Sequence, residues 1–372
     1  MFVRILGGLV LLIVAIWVVL YATGSVELRR AKAEPWPYAL GSLDDLAARP
    51  RRSASPEAER LIKPLESLPN GVAAATWIAA QIKKKNDAVD PVPADVASAL
   101  AESQAALAEL VPLVVGSGDR IVWSDRRAMA WLVAGAVNLL GVQALGRARD
   151  GDGAAAWQDV HAMWILARSL SGQVVPPAKI SAAQLERIAN AVARKLPAPA
   201  PPWLAEIAAI DPRRDAAAAL QAQASTFGRP ARRRAAPAVL MFLFRPLFDR
   251  YAAKTIRGRR AAAAAMTARR CRIDDAAMHA AEVTGMLPAQ VAYRAARLDA
   301  EIEATAKVLA LKSERARLGH WPPPSPQIAA SRCEANVWQY AASEDGSMSL
   351  RMSLEPAWEP SARIVPQLDF AY

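Results

Sequence analysis

Residues 5–22 read ILGGLVLLIVAIWVVLYA and contain no charged side chain. As an α-helix this stretch would be about 27 Å long, close to the roughly 30 Å hydrocarbon core of a bilayer. Trp17 and Tyr21 lie toward its C-terminal end, where aromatic rings favour the headgroup layer. We therefore predict a transmembrane anchor over residues 1–24 that contacts membrane lipid through residues 5–22.

The same stretch has a second interpretation, a cleaved signal peptide. Ala22 and Gly24 are small and have the spacing of a cleavage site, but the apolar run is longer than a usual signal-peptide core. The short tail with Arg4 favours an N terminus in the cytoplasm, because long domains translocate largely regardless of their charge. Arg29, Arg30 and Lys32 favour the opposite orientation. We expect an uncleaved single-pass anchor with the bulk of the chain outside the cytoplasm.

The composition bounds the class of protein. Of the 372 residues, 53% are hydrophobic and 22% charged, which is ordinary globular usage and excludes a largely disordered chain and a polytopic membrane protein. Two cysteines exclude a disulfide-dense scaffold, and three histidines leave little room for a multi-histidine metal site. No nucleophile elbow, phosphate loop, dinucleotide fingerprint or zinc-protease motif is present in the sequence. We predict no cofactor, and these motifs point to no reaction; a non-enzymatic role is favoured over an enzymatic one.

Hydrophobic periodicity predicts a mainly α fold. After a linker over residues 25–56 rich in proline and charge, a multi-helix body extends over residues 57–286, with prolines between the periodic stretches. Two amphipathic segments around the glycines of RARDGDG predict a helical hairpin, and Ser124-Asp125 is a predicted cap for the first of them. We expect stacked hairpins, an arrangement known from tetratricopeptide-like arrays. The expected helices are 71–84, 93–115, 124–149, 154–170, 180–196, 203–224, 238–257, 259–283 and 288–318.

The eleven tryptophans are scattered along the whole chain. Their dispersion favours core anchors that hold alanine-rich helices together, over a binding groove lined by indole rings. We predict in particular that Trp157 and Trp164 are buried.

The C-terminal region, residues 287–372, changes character after its long helix. Residues 335–342 and 347–354 alternate as strands do, and the Asp345-Gly346 pair between them predicts a hairpin. Residues 363–370 can add a third strand, which Pro366 restricts to an edge of the sheet. A small β-hairpin cap is therefore expected to end the helical body.

The junction before this cap carries a resemblance. Leu318, Gly319, Trp321 and Pro322 form a helix end followed by a Gly-x-aromatic-Pro turn, which resembles the globular part of type II secretion pseudopilins over about 60 residues. The apolar run lacks the glutamate that pseudopilins carry for processing and assembly. The overall plan is also similar to uncharacterised bacterial single-pass envelope proteins. This resemblance implies a bacterial inner-membrane location, a periplasmic body and unknown envelope protein partners, and it brings no catalytic residue.

The positive charge is concentrated in one segment. Residues 229–272 contain twelve arginines and Lys254 against one acid, Asp249, so this segment carries the whole net charge of +11. It surrounds the apolar run APAVLMFLFRPLF, in which Pro246 is expected to kink or break the helix. One interpretation is a membrane-surface or acidic-partner contact, the other a buried run beside solvated arginines; nucleic acid is not expected. The predicted contact residues are Arg232, Arg233, Arg234, Arg257, Arg259 and Arg260.

Two further sets of residues are candidates for chemistry. Asp275, His279 and Glu282 share one helical face and could serve a metal-assisted periplasmic hydrolase, which is the alternative function, although a solvated helix face is the default reading. Glu301 and Glu303 are two positions apart, so they point to different sides of a helix and do not form an acid–base pair. Cys271 and Cys333 can either form a disulfide in an oxidising periplasm or remain two buried thiols.

Overall fold

In a computed structural model, the chain is described over residues 2–38, 41–48, 53–124, 129–171, 176–228, 238–267, 287–333, 336–353 and 368–372. It is mainly helical, with a small three-stranded antiparallel sheet near the C terminus, which confirms the predicted fold class at this level. The helices are α1 Phe2–Ala33, α2 Leu43–Ala48, α3 Pro56–Glu66, α4 Val72–Ile82, α5 Ala94–Ser117, α6 Ala130–Arg149, α7 Gly153–Ser171, α8 Pro176–Lys195, α9 Leu204–Ala208, α10 Pro212–Ser225, α11 Ala238–Thr267, α12 Leu287–Leu318 and α13 Pro326–Ala329. The strands are β1 Trp338–Ala342, β2 Met348–Met352 and β3 Asp369–Ala371.

The described residues form two compact units. The first contains the residues up to 48 together with 217–267 and 287–289, and the second contains 53–216 and 290–372. The first unit is thus built from stretches far apart in sequence.

In the first unit, α1 and α11 lie side by side. Trp17 Nε1 donates to the Leu243 carbonyl at 3.0 Å, and Ser25 donates to Asp249 at 3.3 Å. Residue numbers rise together along both helices, so the two helices are parallel. Their far end packs around an apolar cluster formed with α2 and α10: Ala31, Leu43, Leu46, Ala224, Ala253 and Ile256.

Two expectations for this unit need correction. Residues 25–33 belong to α1 and not to a linker, because Ala31 is fully buried in that apolar cluster. The helices expected over 238–257 and 259–283 are one helix through residue 267, after which the description stops. Pro246 lies inside it without ending it, so the helix lacks only the hydrogen bond that the missing proline N–H would make.

In the second unit, α6, α7 and α8 form the centre of the largest core cluster. The missing Cβ of Gly141 lets α6 approach the Met163 side chain of α7, while Arg147 contacts Asp159, so α6 and α7 run antiparallel. The turn between them has Gly151 at φ +88°, a left-handed conformation that suits glycine. Trp157 and Trp164 are 7% and 8% exposed, which confirms the prediction that they are buried.

Two helix boundaries differ from expectation. The stretch 203–224 is two helices, since Asp211 accepts from the backbone N–H groups of Arg213 and Arg214 and thereby starts α10 at Pro212. Helix α6 begins at Ala130 with Met129 as its N-cap residue, so Ser124 is not its N-cap; Asp125, the other residue of the predicted cap, lies outside the described residues.

The C-terminal cap is close to expectation. α12 ends at Leu318, and Gly319 adopts φ +81° while its N–H donates to Arg315 O at 2.8 Å. Strands β1 and β2 pair from Trp338↔Met352 to Ala342↔Met348, and β3 pairs with the other side of β2 over Asp369–Ala371. Residues 363–367 of the strand expected over 363–370 lie outside the described residues. Trp321 is buried and donates from Nε1 to Gly346 O at 2.9 Å, which ties the turn to the hairpin loop.

Two of the described helices are long and apolar enough to cross a membrane. In the first, Gly8–Ala33, only 6% of the most apolar window is buried, in agreement with a membrane anchor. The second, Ala94–Arg120, was not expected to meet this criterion. Its stripe of Val96, Leu107, Leu110 and Val114 packs into the core of the second unit, so we interpret α5 as a helix of the body.

Candidate functional site

Several predicted site residues lie outside the described part of the chain. These are Arg232, Arg233 and Arg234 of the basic segment, the metal triad Asp275, His279 and Glu282, and Cys271. Among the described residues, no group of three or more His, Cys, Asp or Glu side chains is arranged to hold a metal ion. Cys333 is buried and lies 3.6 Å from Arg213 Nη2. Its pairing with Cys271 stays a prediction.

The three described arginines of the basic segment have different surroundings. Arg257 and Arg260 both pair with Glu34, the residue that follows α1, Arg257 at 3.7 Å. Arg259 points elsewhere: it is 4% exposed, donates to Gln223 Oε1 at 2.9 Å and lies over the ring of Phe227. Burial lowers the pKa of Arg259 to about 10.

A cavity of about 860 Å³ opens in the first unit between α1, the chain that follows it, and α11. Its lining carries four cationic side chains against one acid, Glu27, with Trp36 between prolines at one wall. Two donors there, Trp36 Nε1 and Arg250 Nε, are buried without a hydrogen-bond partner. The cationic residues are Arg250, Lys254, Arg257 and Arg260.

The sequence predicted two of the four cationic residues that line this cavity as contact residues. Arg257 and Arg260 stood out by charge density, whereas Arg250 and Lys254 did not, although all four recur at intervals of three or four residues along one helix face. That spacing is the signal that would have found them. Trp36 had no such signal, because its place depends on how the chain turns after α1.

The densest group of buried charges lies in the second unit, between α8 and α12. Glu301 is fully buried, 3.2 Å from Arg187 Nε, 3.0 Å from Arg194 Nη2 and 3.3 Å from Arg297 Nε. Burial alone would raise the pKa of Glu301, but the three guanidinium groups hold it below its ordinary value. Glu303 instead binds the backbone N–H of Arg332, in agreement with the expectation that the two glutamates point apart.

This network of buried charges joins α8 to α12 and has a structural role, which we call the lock between the two helices. Arg194 also donates to Thr305 Oγ1 at 2.9 Å, so each end of its guanidinium group is bound to α12. The neighbouring cavity of about 210 Å³ is lined mainly by alanine, leucine and isoleucine and includes Asn190 and Thr305. It is smaller than ligand pockets usually are. This geometry holds α8 to α12 and presents no base or nucleophile to a substrate.

The described histidines are not placed for catalysis. His161 stacks on the Trp203 ring with centroids 4.3 Å apart, and burial lowers its pKa. The Nδ1 atom of His320 lies 2.9 Å from the Trp321 carbonyl within the turn after α12.

One exposed apolar feature of the second unit was missed. Trp131 on α6 is 70% exposed and Val72 on α4 is 63% exposed. The two helices meet between them, where a Cβ at Gly71 would be 3.0 Å from the Gly135 carbonyl. Trp131 is one turn before Gly135, so the indole and the valine flank the same helix contact. The expectation that the tryptophans are core anchors is wrong for Trp131.

Comparison with known proteins adds no relative. No family model matches the chain, no curated protein matches it significantly, and no solved structure does.

Proposed function

We propose that the chain is a single-pass, membrane-anchored protein of the bacterial cell envelope that acts by binding other envelope proteins and not by catalysis. In this proposal α1 spans the inner membrane with its N terminus in the cytoplasm, and the body is periplasmic. The exposed apolar surface of α1 supports the anchor, with Leu11 71% and Val19 61% exposed. The short tail with Arg4 supports the orientation.

The observation that carries the binding role is the exposed pair Trp131 and Val72. Large apolar side chains of this exposure, next to a tightly packed helix contact, are typical of protein interfaces, where tryptophan is enriched among the residues that dominate binding energy. The partner that fits is a protein with an apolar pocket for the indole ring. Partners in a secretion- or pilus-type assembly are proposed from the sequence resemblance of the turn at Gly319 and Trp321 to that of pseudopilins.

The finer architecture belongs to the same proposal. The antiparallel pair α6 and α7, with α8 packed on α7, supports a body of stacked helical hairpins. Such arrays offer long surfaces of neighbouring helices to protein partners.

Site-specific photocrosslinking tests the proposal in the intact chain in its own membrane. A photoreactive amino acid at Trp131 should give one defined protein adduct, and Val72→Asp should abolish it. The matched control is the same amino acid at Glu314, which is exposed on α12 and should give none. Failure to form an adduct at 131, together with a stoichiometric metal in the purified chain, would favour the hydrolase alternative.

A further inference from the structure

The parallel register of α1 and α11 places the two helices at matching depths. Trp17 contacts Phe242, with ring centroids 4.4 Å apart, and Leu243; further along, Ser25 bonds Asp249. The first turns of α11 therefore lie beside the last turns of the uncharged run 5–22. Phe242 is level with Trp17, five residues before that run ends, or about 8 Å below the end at 1.5 Å per residue.

The beginning of α11 presents an exposed apolar surface beside α1. Around Pro246, large side chains are about half exposed in a protein whose other apolar residues are mostly buried. They are Phe242 56%, Leu243 49%, Phe244 48%, Leu247 54% and Phe248 46%. This surface is continuous with the exposed apolar surface of α1, and acyl chains are the surroundings that cover such a face beside a membrane span.

The charged groups begin within the second half of this apolar surface, at Arg245. Arg245 lies over the ring of Tyr21 at 5.5 Å, at the level expected for headgroups. The basic cavity follows directly, since Arg250 donates to Thr23 Oγ1 at 2.7 Å and Arg260 reaches Ala31 O at 3.4 Å. The arginines that line the cavity are therefore level with residues 23–31, which follow the run 5–22.

The cavity is suited to an anion. Glu34 pairs with two of its four cations, and among the described residues no carboxylate lies within ion-pair distance of Arg250 or Lys254. The unpartnered donors Trp36 Nε1 and Arg250 Nε could hydrogen-bond phosphate oxygens.

We propose that α1 and α11 together form a binding site for an anionic phospholipid, with the apolar start of α11 inserted in the leaflet and the phosphate headgroup in the basic cavity. This inference rests on the membrane anchor of the proposed function and is independent of the Trp131 contact. The site selects lipids of net negative charge because Arg250 and Lys254 need a counter-charge that a zwitterionic headgroup compensates internally.

Lipid binding is measured on the full chain in neutral detergent by native mass spectrometry, with phosphatidylglycerol and phosphatidylcholine as probes. We expect a clear preference for phosphatidylglycerol. The double variant Lys254→Gln, Arg257→Gln should bind it about 30-fold more weakly, equivalent to roughly 2 kcal/mol for two basic residues. The control Arg317→Gln, Arg351→Gln, which removes two exposed arginines of the second unit, should bind as the unaltered chain does. Equal binding of both lipids, or equal loss in the control, would overturn the proposal.

Two further experiments distinguish lipid binding from binding of a free anion or of a protein partner. Glycerol phosphate, which has the headgroup chemistry without acyl chains, should not displace the lipid, and displacement at similar concentrations would reduce the site to an anion pocket. A photoreactive amino acid at Phe244 in lipid nanodiscs should crosslink to lipid, whereas one at Glu314, which is exposed on α12 and does not line the cavity, should not. A protein adduct at 244 in native membranes in place of lipid would instead assign this face to an acidic protein. If alkaline treatment extracts the chain from the membrane, the membrane anchor of the proposed function is rejected. If the chain stays in the membrane but shows no lipid preference, only the lipid site is rejected.

Discussion

Gly24 of α1 lies directly against the carbonyl group of Pro246 of α11: a Cβ atom at residue 24 would be 2.8 Å from that oxygen. Helix backbones approach this closely only where a side chain is absent. The contact lies just beyond the end of the apolar run and between the two hydrogen bonds that Trp17 and Ser25 make to α11. The glycine therefore sets how closely the two helices pack at the membrane boundary.

Gly24→Ala is expected to lower the stability of the first unit by about 1–3 kcal/mol, because the methyl group meets backbone that cannot rotate away. Gly8→Ala is the matched control on the same helix, since nothing lies within 4 Å of a Cβ there. It should be neutral or slightly stabilising, as alanine is the better helix former. Thermal unfolding of both variants in one detergent makes the comparison; equal midpoints would contradict the close contact.

Glu301→Gln should destabilise the second unit by about 3–5 kcal/mol, because it leaves three buried guanidinium groups without their shared counter-charge. Glu314→Gln on the exposed part of the same helix should change stability by less than about 1 kcal/mol. Denaturant unfolding of the two variants measures the difference. A loss below about 1 kcal/mol for Glu301→Gln would mean that the arginines remain hydrated, and the lock between α8 and α12 would be rejected.

Turns and helix ends that depend on a single glycine could be predicted from the sequence. Gly151, Gly319 and Gly346 all have a positive φ. They lie in the turn after α6, at the end of α12 and in the hairpin loop, and glycine in the sequence is the signal that predicts such positions. The hydrophobic periodicity of residues 203–224 did not predict that a new helix starts at Asp211 and Pro212. The helical spacing of apolar residues continues through these two positions, so the break is not visible in it.

Long-range partners could not be predicted. Of the three arginines around Glu301, only Arg297 is a helical neighbour at i,i+4, while Arg187 and Arg194 are more than a hundred residues earlier in the chain. The pairing of α1 with α11 is equally remote in sequence. One sequence without relatives contains no pattern that joins such positions, so neither the buried network nor the full lining of the basic cavity followed from it.

Trp157→Ala and Trp164→Ala should each cost about 3–5 kcal/mol, as the loss of large buried aromatic side chains does. Trp157 in addition donates from Nε1 to Pro197 O at 3.2 Å and meets Trp203 edge-on. Trp131→Ala is the internal control, because its ring is 70% exposed and its loss should leave stability nearly unchanged. Thermal midpoints of the three variants decide it, and a large loss at 131 would assign that ring to the core and not to a partner.

Asp159 should make stability depend on pH in a direction opposite to that of Glu301. Its carboxylate is fully buried, with both oxygens 2.9 Å from Arg147 Nη1 and one 2.9 Å from Gln143 Nε2. Burial nevertheless raises the pKa of Asp159 to about 6, because the loss of hydration outweighs the opposing effects of Arg147 and Gln143.

The sign of the effect follows from the two pKa values of Asp159. Since the pKa of Asp159 in the folded chain is above the unfolded value of about 3.9, ionisation costs the folded state above pH 6, and this cost decreases as the pH falls and disappears below the unfolded pKa. The unaltered chain should therefore gain about 2 kcal/mol relative to Asp159→Asn between pH 7 and pH 4, at about 1.36 kcal/mol per pKa unit. Unfolding free energies of both chains across that range measure it. A change of the opposite sign would mean that the pairing with Arg147 outweighs burial and lowers the pKa of Asp159.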